Sequence, residues 1–373
     1  MKNPRIAFFG SGLVSAYQTE KANYFRGIIR ALGNRGRDVT FYEPDISGSQ
    51  RHWDLQDPLW SKFLIYSPKE SEISRALAAA GTADVLVKVS RVGIFDELLE
   101  SAVLQVRSPH TTVIFWDADP SGTLERIQND AKDPFRLLIP KYDLILTRNG
   151  TQRHTEKYLQ LGARACVAIC DALDPHTHHP ALPDSRYSGD LGLLVNNSSH
   201  GVPEAHELFL KAAEFGCQFK FVLGGAGWLG KPFRPNVRCV GHVFARDYNA
   251  FNSTLRAVLN AGGNEDEVAD SRHSQIFEAA GAAACVITQP FVGLERILEP
   301  QREVLVARDA GELVEHLHEL HPSRAREIGK AARKRMLSEQ TYDNRVRQLE
   351  EILGLAAPAL PPIRAKAMAA TLS

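Results

Sequence analysis

The stretch DSRHSQIFEAAGAAACVITQPFVGLERILE, residues 270–299, contains the pattern on which the fold prediction depends. Apolar residues recur at helical spacing in 274–281, and Ser274 can cap that helix at its start. Small residues at 279–284 allow a helix to pack closely on a sheet, and the apolar run 285–288 has the length of a buried strand. A helix followed by a short apolar strand is typical of a parallel α/β sheet.

Glu278 is the residue of this stretch that packing does not explain. It stands in the apolar sequence Ile-Phe-Glu-Ala-Ala, eight residues after Asp270 in a polar segment. A buried charge costs several kcal/mol unless it is paired, so Glu278 needs a partner. The two hydroxyls of a ribose are one suitable partner, and an arginine of the same loop is the other.

The same alternation of short apolar runs and amphipathic stretches extends along the whole chain. Predicted strands are 5–9, 38–42, 85–89, 112–116, 144–147, 166–169, 191–195, 220–223, 237–240, 257–260, 285–288 and 304–307. Predicted helices are 23–34, 71–80, 152–161, 204–215, 248–252, 274–281 and 310–320. This order predicts an α/β protein with two Rossmann-like, doubly wound parallel-sheet domains facing a cleft, and such sheets bind ligands at the carboxyl ends of their strands.

The domain boundary is predicted in the proline- and histidine-rich segment 174–188, which has little periodicity. We therefore expect domains at 1–175 and 176–340. Residues 322–353 form one long helical pattern with a break near Thr341, so 341–355 is a separate helix. The Ala- and Pro-rich residues 356–373 are expected to form a poorly ordered tail.

Composition excludes some classes of protein. Lys+Arg and Asp+Glu both number 44, so a nucleic-acid binder held by bulk charge is disfavoured. No apolar run is long enough for a membrane span, and the first apolar run is read as a strand and not as a signal peptide. The five widely spaced cysteines indicate structural thiols in a reducing, cytoplasmic location.

The loop Gly10-Ser11-Gly12 follows the first predicted strand. Glycines there let the backbone approach a ligand, and we expect the acceptor or the sugar beside this loop. A dinucleotide fingerprint needs a third glycine, but Ser15 occupies that position, which argues against a dehydrogenase. A plain strand–helix turn is the alternative.

Further polar residues follow other strands of the first half. Asp117 and Asp119 could take a proton or hold a metal, although the sequence Asp-Pro-Ser-Gly is also an ordinary turn. Asn149 and Gly150 suit the close approach of a ligand, and His154 could bind a sugar hydroxyl or lie in solvent. The histidines of the linker lack a metal-ligand spacing and are expected at its surface: His176, His178 and His179.

Two loops of the second half are candidates for the pyrophosphate of a nucleotide. Asn197 and Ser198 precede a helix start, where backbone N–H groups favour an anion. Gly224 and Gly225 follow the next strand and permit close approach of a ligand. A flexible loop is the alternative for the glycines.

With these motifs in order, the chain resembles GT-B glycosyltransferases of the CgeB-like (spore maturation protein CgeB) group. The resemblance extends to about residue 353. In the first half it rests on FFGSGLVSAY (8–17), FYEPD (41–45), VIFWDADPSGTL (113–124) and YDLILTRNG (142–150). In the second half it rests on GHV (241–243), VLN (258–260), SQIFEAA (274–280), ITQ (287–289), GLE (293–295) and EVL (303–305).

The resemblance implies a nucleoside-diphosphate-sugar site in the second domain. Glu278 falls at the ribose-binding carboxylate, and Asp270 falls at the first carboxylate of a Glu-x7-Glu pair, with the shorter Asp in place of Glu. The other implied contacts are the loop Gly241, His242 and Val243 around the base, Glu295 near the sugar or phosphate, and Ser274 at the helix start. Related sequences often carry arginine where this chain has Gln275, so Arg272 or Lys231 is expected to supply the missing charge.

The implied reaction is metal-independent transfer, without a cofactor, from a UDP- or GDP-linked sugar to an acceptor on the first domain. Retention of configuration is expected, and an inverting enzyme would use Asp117, Asp119 or His154 as its base. The acceptor can be a glycan, a lipid, a protein or a small molecule, and the last helix is expected to return to the first domain. The alternatives are a nicotinamide-dependent oxidoreductase and a catalytically weak nucleotide- or sugar-binding protein.

Overall fold

The computed structural model describes residues 4–14, 20–45, 59–196, 204–260 and 274–355. Its first sheet has seven parallel strands in the order β3-β2-β1-β4-β5-β6-β7. The strands are β1 Arg5–Phe9, β2 Asp38–Pro44, β3 Lys62–Tyr66, β4 Val85–Val89, β5 Thr112–Asp117, β6 Leu144–Arg148 and β7 Cys166–Ile169. The order reverses beside β1, and ligands bind at such a point in open α/β sheets.

Helices cover both faces of this sheet. They are α1 Glu20–Asn34, α2 Glu70–Ala80, α3 Asp96–Gln105, α4 Pro120–Asn129 and α5 Gln152–Gln160. Because strand residues alternate between faces, Ile114 and Trp116 pack in one core with α1, while Val113 and Phe115 pack in the other with α2 and α3. Both faces of β5 are therefore buried, as its unbroken apolar sequence requires.

The second sheet has six parallel strands in the order β10-β9-β8-β11-β12-β13. Its strands are β8 Leu191–Leu194, β9 Phe221–Gly224, β10 Val237–Gly241, β11 Ala257–Asn260, β12 Val286–Thr288 and β13 Leu305–Val306. Its helices are α6 Glu204–Phe215, α7 Tyr248–Thr254, α8 Ser274–Gly281, α9 Leu294–Ile297 and α10 Ala310–Glu319. The predicted fold class is confirmed by these two parallel α/β sheets.

Two crossings connect the sheets and lie side by side. The helix α11 Pro322–Glu339 ends, and after two residues the chain continues as α12 Tyr342–Ile352. This last helix packs on α1, which covers the first sheet. At the break, Leu173 N donates to Gln340 O over 2.7 Å, and Leu173 and Thr341 form an isolated parallel bridge. The segment that leads from the first sheet to the second and the segment between α11 and α12 are thus hydrogen-bonded to each other.

Four of the named elements are absent from the sequence prediction: the edge strand β3 and the helices α3, α4 and α9. The edge strand β3 was not predicted, because it pairs on one side only and is half-buried. The helix α3 was not predicted either, because its N-cap is Phe95, at φ 61°, and no capping side chain marks its start. The expected tail, 356–373, lies outside the described residues. Within the part of the chain that the structure describes, no helix is long and apolar enough to cross a membrane.

Candidate functional site

A cavity of about 290 Å³ lies between the two sheets. Its walls come from α1, the carboxyl ends of β6 and β7, the linker, α8 and α12. The lining residues are Asn23, Tyr24, Arg26, Arg30, Arg148, Asp171, Ala172, Asp174, Thr177, His178, Asn196, Tyr248, Ser274, Gln275, Glu278 and Tyr342. A smaller pocket of about 20 Å³ shares Gln275 and Glu278 with it and extends towards β11. The structure therefore brings Ser274 and Glu278, both predicted from the sequence, to one cavity.

Glu278 lies in the middle of α8 and its side chain is 21% exposed. Its Oε1 is 3.7 Å from His178 Nε2, and the pair meets a distance criterion for a salt bridge. Burial nevertheless lowers the pKa of His178 to about 4, so the ring is neutral at pH 7 and the contact is not an ion pair. The neutral ring of His178 therefore adds no positive charge to the cavity wall beside Glu278.

Three arginines of the first domain line the cavity, and none of them was predicted from the sequence. Arg148, at the end of β6, forms a bidentate pair with Asp171, with Nε–Oδ1 at 2.8 Å and Nη2–Oδ2 at 2.9 Å. Arg30 pairs with Asp174, and Arg26 Nε donates to Leu13 O over 2.7 Å. Arg26 and Arg30 lie four residues apart on α1, which places them on one face of the helix.

The described wall of the cavity is close to electrically neutral. Its three guanidinium groups face three carboxylates, those of Asp171, Asp174 and Glu278. Lys231, expected as a substitute cation, lies with its Nζ 5.1 Å from the ring centroid of Trp228 and is not among the residues that line the cavity. Lys231 therefore stays a prediction, and Arg272 lies outside the described residues.

The loop Gly10-Ser11-Gly12 is closed by an internal carboxylate. Glu43 accepts from Gly12 N over 2.6 Å and from Leu13 N and Val14 N over 3.1 and 3.2 Å. These backbone donors are therefore not available to a phosphate or to a sugar hydroxyl. Burial raises the pKa of Glu43, while the three hydrogen bonds favour its charged form. The strand–helix turn is the interpretation that fits this loop.

Asp117 does not fit its predicted role as a base. It is completely buried, and its Oδ1 accepts from Ser90 Oγ over 2.8 Å, Thr123 Oγ1 over 2.9 Å and Asp119 N over 3.0 Å. Its Oδ2 accepts from Tyr158 OH over 2.5 Å. Asp117 lies on the same face of the strand as Phe115. Its carboxylate therefore joins Ser90, Thr123 and Tyr158 by hydrogen bonds in the interior and does not face the cleft.

Asp119 and His154 lie nearer the surface. Asp119 caps α4 by accepting from Gly122 N over 3.1 Å, and it pairs with Arg91 at 2.5 Å. His154 Nδ1 accepts from Thr151 N over 3.1 Å, and its Nε2 is 3.2 Å from Ser121 Oγ. Burial lowers the pKa of His154, which keeps the ring neutral. Both side chains have structural partners and lie at the carboxyl edge of the first sheet.

Asn149 and Gly150 shape the wall of the cavity. Asn149 has φ 53°, and its Oδ1 accepts from Asp171 N over 2.7 Å. A Cβ at position 150 would collide with the Thr147 side chain, which explains the glycine. The turn thus holds Asp171 in front of Arg148, and neither Asn149 nor Gly150 lines the cavity.

The predicted loops of the second domain lie at the carboxyl ends of β9 and β10. Gly225 has φ 133°, and its N donates to Gly241 O over 2.8 Å, so the ends of the two strands are joined. His242 is exposed and meets the Phe244 ring edge-on, while Val243 is buried. Gly224 and Gly225, together with Gly241, are needed for this local geometry.

The remaining predicted residues are Glu295 and four residues of segments that the structure does not describe. Glu295 is exposed on the short helix α9 and is not among the residues that line the cavity. Asn197, Ser198, Asp270 and Arg272 lie outside the described residues. Among the residues that are described, no group of three or more His, Cys, Asp or Glu side chains could hold a metal ion.

A protein-family model matches most of the second domain. Residues 204–351 match the family model described as "Glycosyl transferase-like". No curated protein sequence matches the chain. The match falls on the domain that contains Glu278.

Solved structures resemble nearly the whole chain in fold. Anabaena HepE, in complex with UDP and glucose, has a TM-score of 0.62 at 12% identity and covers 95% of this chain and 100% of its own. Sucrose-phosphate synthase from Thermosynechococcus elongatus has a TM-score of 0.60 at 12% identity and covers 94% and 98%. The lipopolysaccharide outer core galactosyltransferase WaaB has a TM-score of 0.57 at 13% identity, and the match covers 94% of this chain and 100% of WaaB. The whole chain therefore has the GT-B fold of these structures, and residues 204–351 are similar to the glycosyl transferase-like family.

Proposed function

We propose that this enzyme moves a sugar from a nucleoside-diphosphate sugar to an acceptor held by the first domain, as a member of the CgeB-like group. The observation that carries the proposal is the position of Glu278. Its carboxylate stands half-buried at the wall of a cavity between two parallel sheets, beside a pocket that runs towards β11. Ligands of open α/β sheets bind at this edge.

Glu278 is proposed to accept hydrogen bonds from the two ribose hydroxyls of the donor. A carboxylate has two oxygens and only accepts when ionised, so it fits a pair of hydroxyl donors. Ser274, one turn earlier on α8, lies on the same wall of the cavity. HepE has been solved with UDP and with UDP-glucose, which makes UDP the first nucleotide to test and GDP the second.

The proposed chemistry needs positive charge near the departing diphosphate. Arg26, Arg30 and Arg148 are proposed to contribute to it, because a guanidinium has five N–H groups and can bind a phosphate oxygen while it stays paired with a carboxylate, as Arg30 and Arg148 are. On this basis we propose a metal-independent reaction, and we propose retention of configuration because of the spacing of Asp270 and Glu278 in the sequence. In such a reaction the departing phosphate can itself take the proton of the acceptor. Asp119 or His154 remains the candidate base for an inverting reaction.

The acceptor is proposed to lie along the carboxyl edge of the first sheet. Ser11 Oγ donates there to Arg91 O over 3.3 Å, and the Arg91 side chain pairs with Asp119. Ser121 Oγ lies 3.2 Å from His154 Nε2 at the same edge. A polysaccharide, a lipid-linked glycan, a protein or a small metabolite fits this proposal. A cytoplasmic location is proposed because all five cysteines are free.

The catalytic proposal is tested by following nucleoside-diphosphate release from UDP- and GDP-linked sugars. The wild-type protein is expected to release the diphosphate from one of them. Glu278→Ala should slow this release by about tenfold or more, which corresponds to the loss of one charged hydrogen bond. Glu315→Ala, at an exposed position on α10, is the control and should behave as wild type. Absence of release from every donor would contradict the proposed activity.

A further inference from the structure

Tyr342, the first residue of α12, lines the cavity between the two sheets. The residue is only 8% exposed. In the part of the chain that the structure describes, its hydroxyl group makes no hydrogen bond to another residue. A buried hydroxyl that lacks a partner costs free energy, so a polar atom of a bound molecule is the partner that we expect for it.

The backbone at the start of α12 is held in place by the segment that follows β7. Tyr342 N donates to Leu173 O over 3.3 Å. Three residues further along the helix, Arg345 Nη2 donates to Asp171 O and Arg345 Nε donates to Cys170 O, each over 3.2 Å. The returning helix is therefore fixed beside the residues that form one wall of the cavity.

The ring of Tyr342 packs closely on α1. A Cβ built on Gly27 would stand 2.2 Å from Tyr342 Cδ2, so any larger residue at position 27 would displace the ring. The ring centroid is 6.0 Å from that of Tyr24, and the two rings meet edge-on. The guanidinium of Arg148 lies over the same Tyr24 ring, with its Cζ 5.2 Å from the centroid. Tyr24 therefore supports both Tyr342 and Arg148.

Arg148 also has donors that its own partner does not use. Its Nε and Nη2 donate to the two oxygens of Asp171, and Nη1 has no hydrogen-bond partner among the residues that the structure describes. Arg148 is 6% exposed and lines the cavity. The two hydrogens of Nη1 are therefore available to an acceptor in the cavity, as is the hydroxyl hydrogen of Tyr342.

The hydroxyl of Tyr342 keeps its hydrogen at neutral pH. Burial raises the pKa of Tyr342 well above its ordinary value of 10.0, and the negative charge of Asp171 raises it further, while the positive charge of Arg148 opposes this. These two charges act on the hydroxyl because it lies close to their ion pair. The protonated hydroxyl can thus donate a hydrogen bond beside the guanidinium.

We infer that the hydroxyl of Tyr342 binds a diphosphate oxygen of the donor, beside Nη1 of Arg148. The inference rests on the proposed function. A hydroxyl and a guanidinium both donate here, and an ionised phosphate oxygen accepts hydrogen bonds from both. The charge of Asp171 is matched by Arg148, so the ion pair as a whole does not repel the diphosphate. The returning helix α12 thereby becomes part of the donor site.

The binding test is isothermal titration of UDP and GDP into the wild type and Tyr342→Phe. The substitution removes the hydroxyl and keeps the ring that packs on α1. Affinity for the nucleotide should fall about tenfold or more, because a hydrogen bond to a charged phosphate is lost. Urea unfolding should match that of the wild type, which shows that the loss is not one of folding. Equal affinity of the two proteins for the nucleotide would overturn the inference.

Tyr66→Phe is the matched control. Tyr66 OH is also buried without a hydrogen-bond partner, but the residue lies on the edge strand β3 and does not line the cavity. This variant should bind UDP and GDP as the wild type does.

The matching nucleoside separates the phosphates from the ribose and the base. Uridine or guanosine, titrated at millimolar concentration and followed by NMR, should bind the wild type and Tyr342→Phe alike, because a nucleoside has no phosphate. An equal loss for the nucleoside, or a loss of nucleotide affinity in Tyr66→Phe, would overturn the inference.

Inorganic pyrophosphate keeps the inference separate from the proposed function. If the wild type binds neither UDP nor GDP, the proposed donor fails, and titration with pyrophosphate still decides the role of Tyr342. Binding by the wild type that Tyr342→Phe weakens about tenfold would support the inference. In that case, equal binding by the two proteins, or no binding by the wild type, would overturn it.

Discussion

The buried pair between Arg148 and Asp171 offers a sharp test of how the cavity wall is built. The two side chains are 7% and 2% exposed, and they meet through two hydrogen bonds of 2.8 and 2.9 Å. The guanidinium also lies over the Tyr24 ring, with its Cζ 5.2 Å from the centroid. The perturbation is Arg148→Met, which keeps the length of the side chain and leaves the Asp171 carboxylate buried without its counter-ion.

The expected cost follows from this burial. Removing one partner of a buried, hydrogen-bonded ion pair costs about 3–5 kcal/mol, because the other charge stays desolvated. For a domain of this size, each kcal/mol lowers the midpoint by about 2–4 °C, which gives a fall of roughly 6–20 °C. Asp171→Asn should have a similar effect. The assay is thermal and urea unfolding followed by circular dichroism.

Two control variants test whether burial of the ion pair causes the loss of stability. Arg148→Met/Asp171→Leu removes both charges and should be less destabilised than the two single changes added together. Lys62→Gln breaks the exposed pair with Asp38, 2.8 Å apart, and should cost less than about 1 kcal/mol. A cost for Arg148→Met as small as that of Lys62→Gln would refute the reasoning.

The remaining predictions concern packing, pH and metal. Gly281→Ala should lower the free energy of unfolding by about 1–3 kcal/mol, because its methyl group overlaps the linker, and unchanged urea unfolding would contradict this. Burial raises the pKa of Glu100 to about 7, above its ordinary value of 4.5. The contribution of Glu100 to the free energy of unfolding is therefore greatest below about pH 4.5 and is lost as the pH rises towards 7, because the buried carboxyl must then ionise. Glu100→Gln should reduce the fall in stability between pH 5 and pH 8 by about 1–3 kcal/mol, and equal slopes of wild type and variant would oppose this. EDTA should leave glycosyl transfer unchanged, because guanidinium groups are proposed to face the diphosphate, and loss of activity restored by Mg²⁺ would argue otherwise.

The architecture could be predicted from the sequence because each buried strand is marked by a short run of consecutive apolar residues. Apolar runs such as Val85–Val89 and Ala257–Asn260 are buried on both faces, and their composition alone marks them as strands of a parallel sheet. Edge elements carry a weaker signal. Lys62–Tyr66 pairs with one neighbour only, so its residues need less apolar character.

The site was predicted less completely, because its contacts are distant in sequence. Arg148 and Asp171 are 23 residues apart, and Arg30 and Asp174 are 144 apart, so neither pair could be read from local spacing. Glu278 was found because a carboxylate among apolar helix residues is unusual. Asp117 was misread, because its position after a strand did not reveal that its side chain points into a buried cluster of hydroxyl groups.

Glu278 is proposed to hold the ribose of a nucleotide donor in the cavity between the two domains. Its most direct test is isothermal titration of the wild type and Glu278→Ala with UDP, GDP, ADP and TDP. We expect the wild type to bind one of these nucleotides and the folded variant to bind it more weakly by about 1–3 kcal/mol. No binding by the wild type, or equal affinity in the variant, would contradict it.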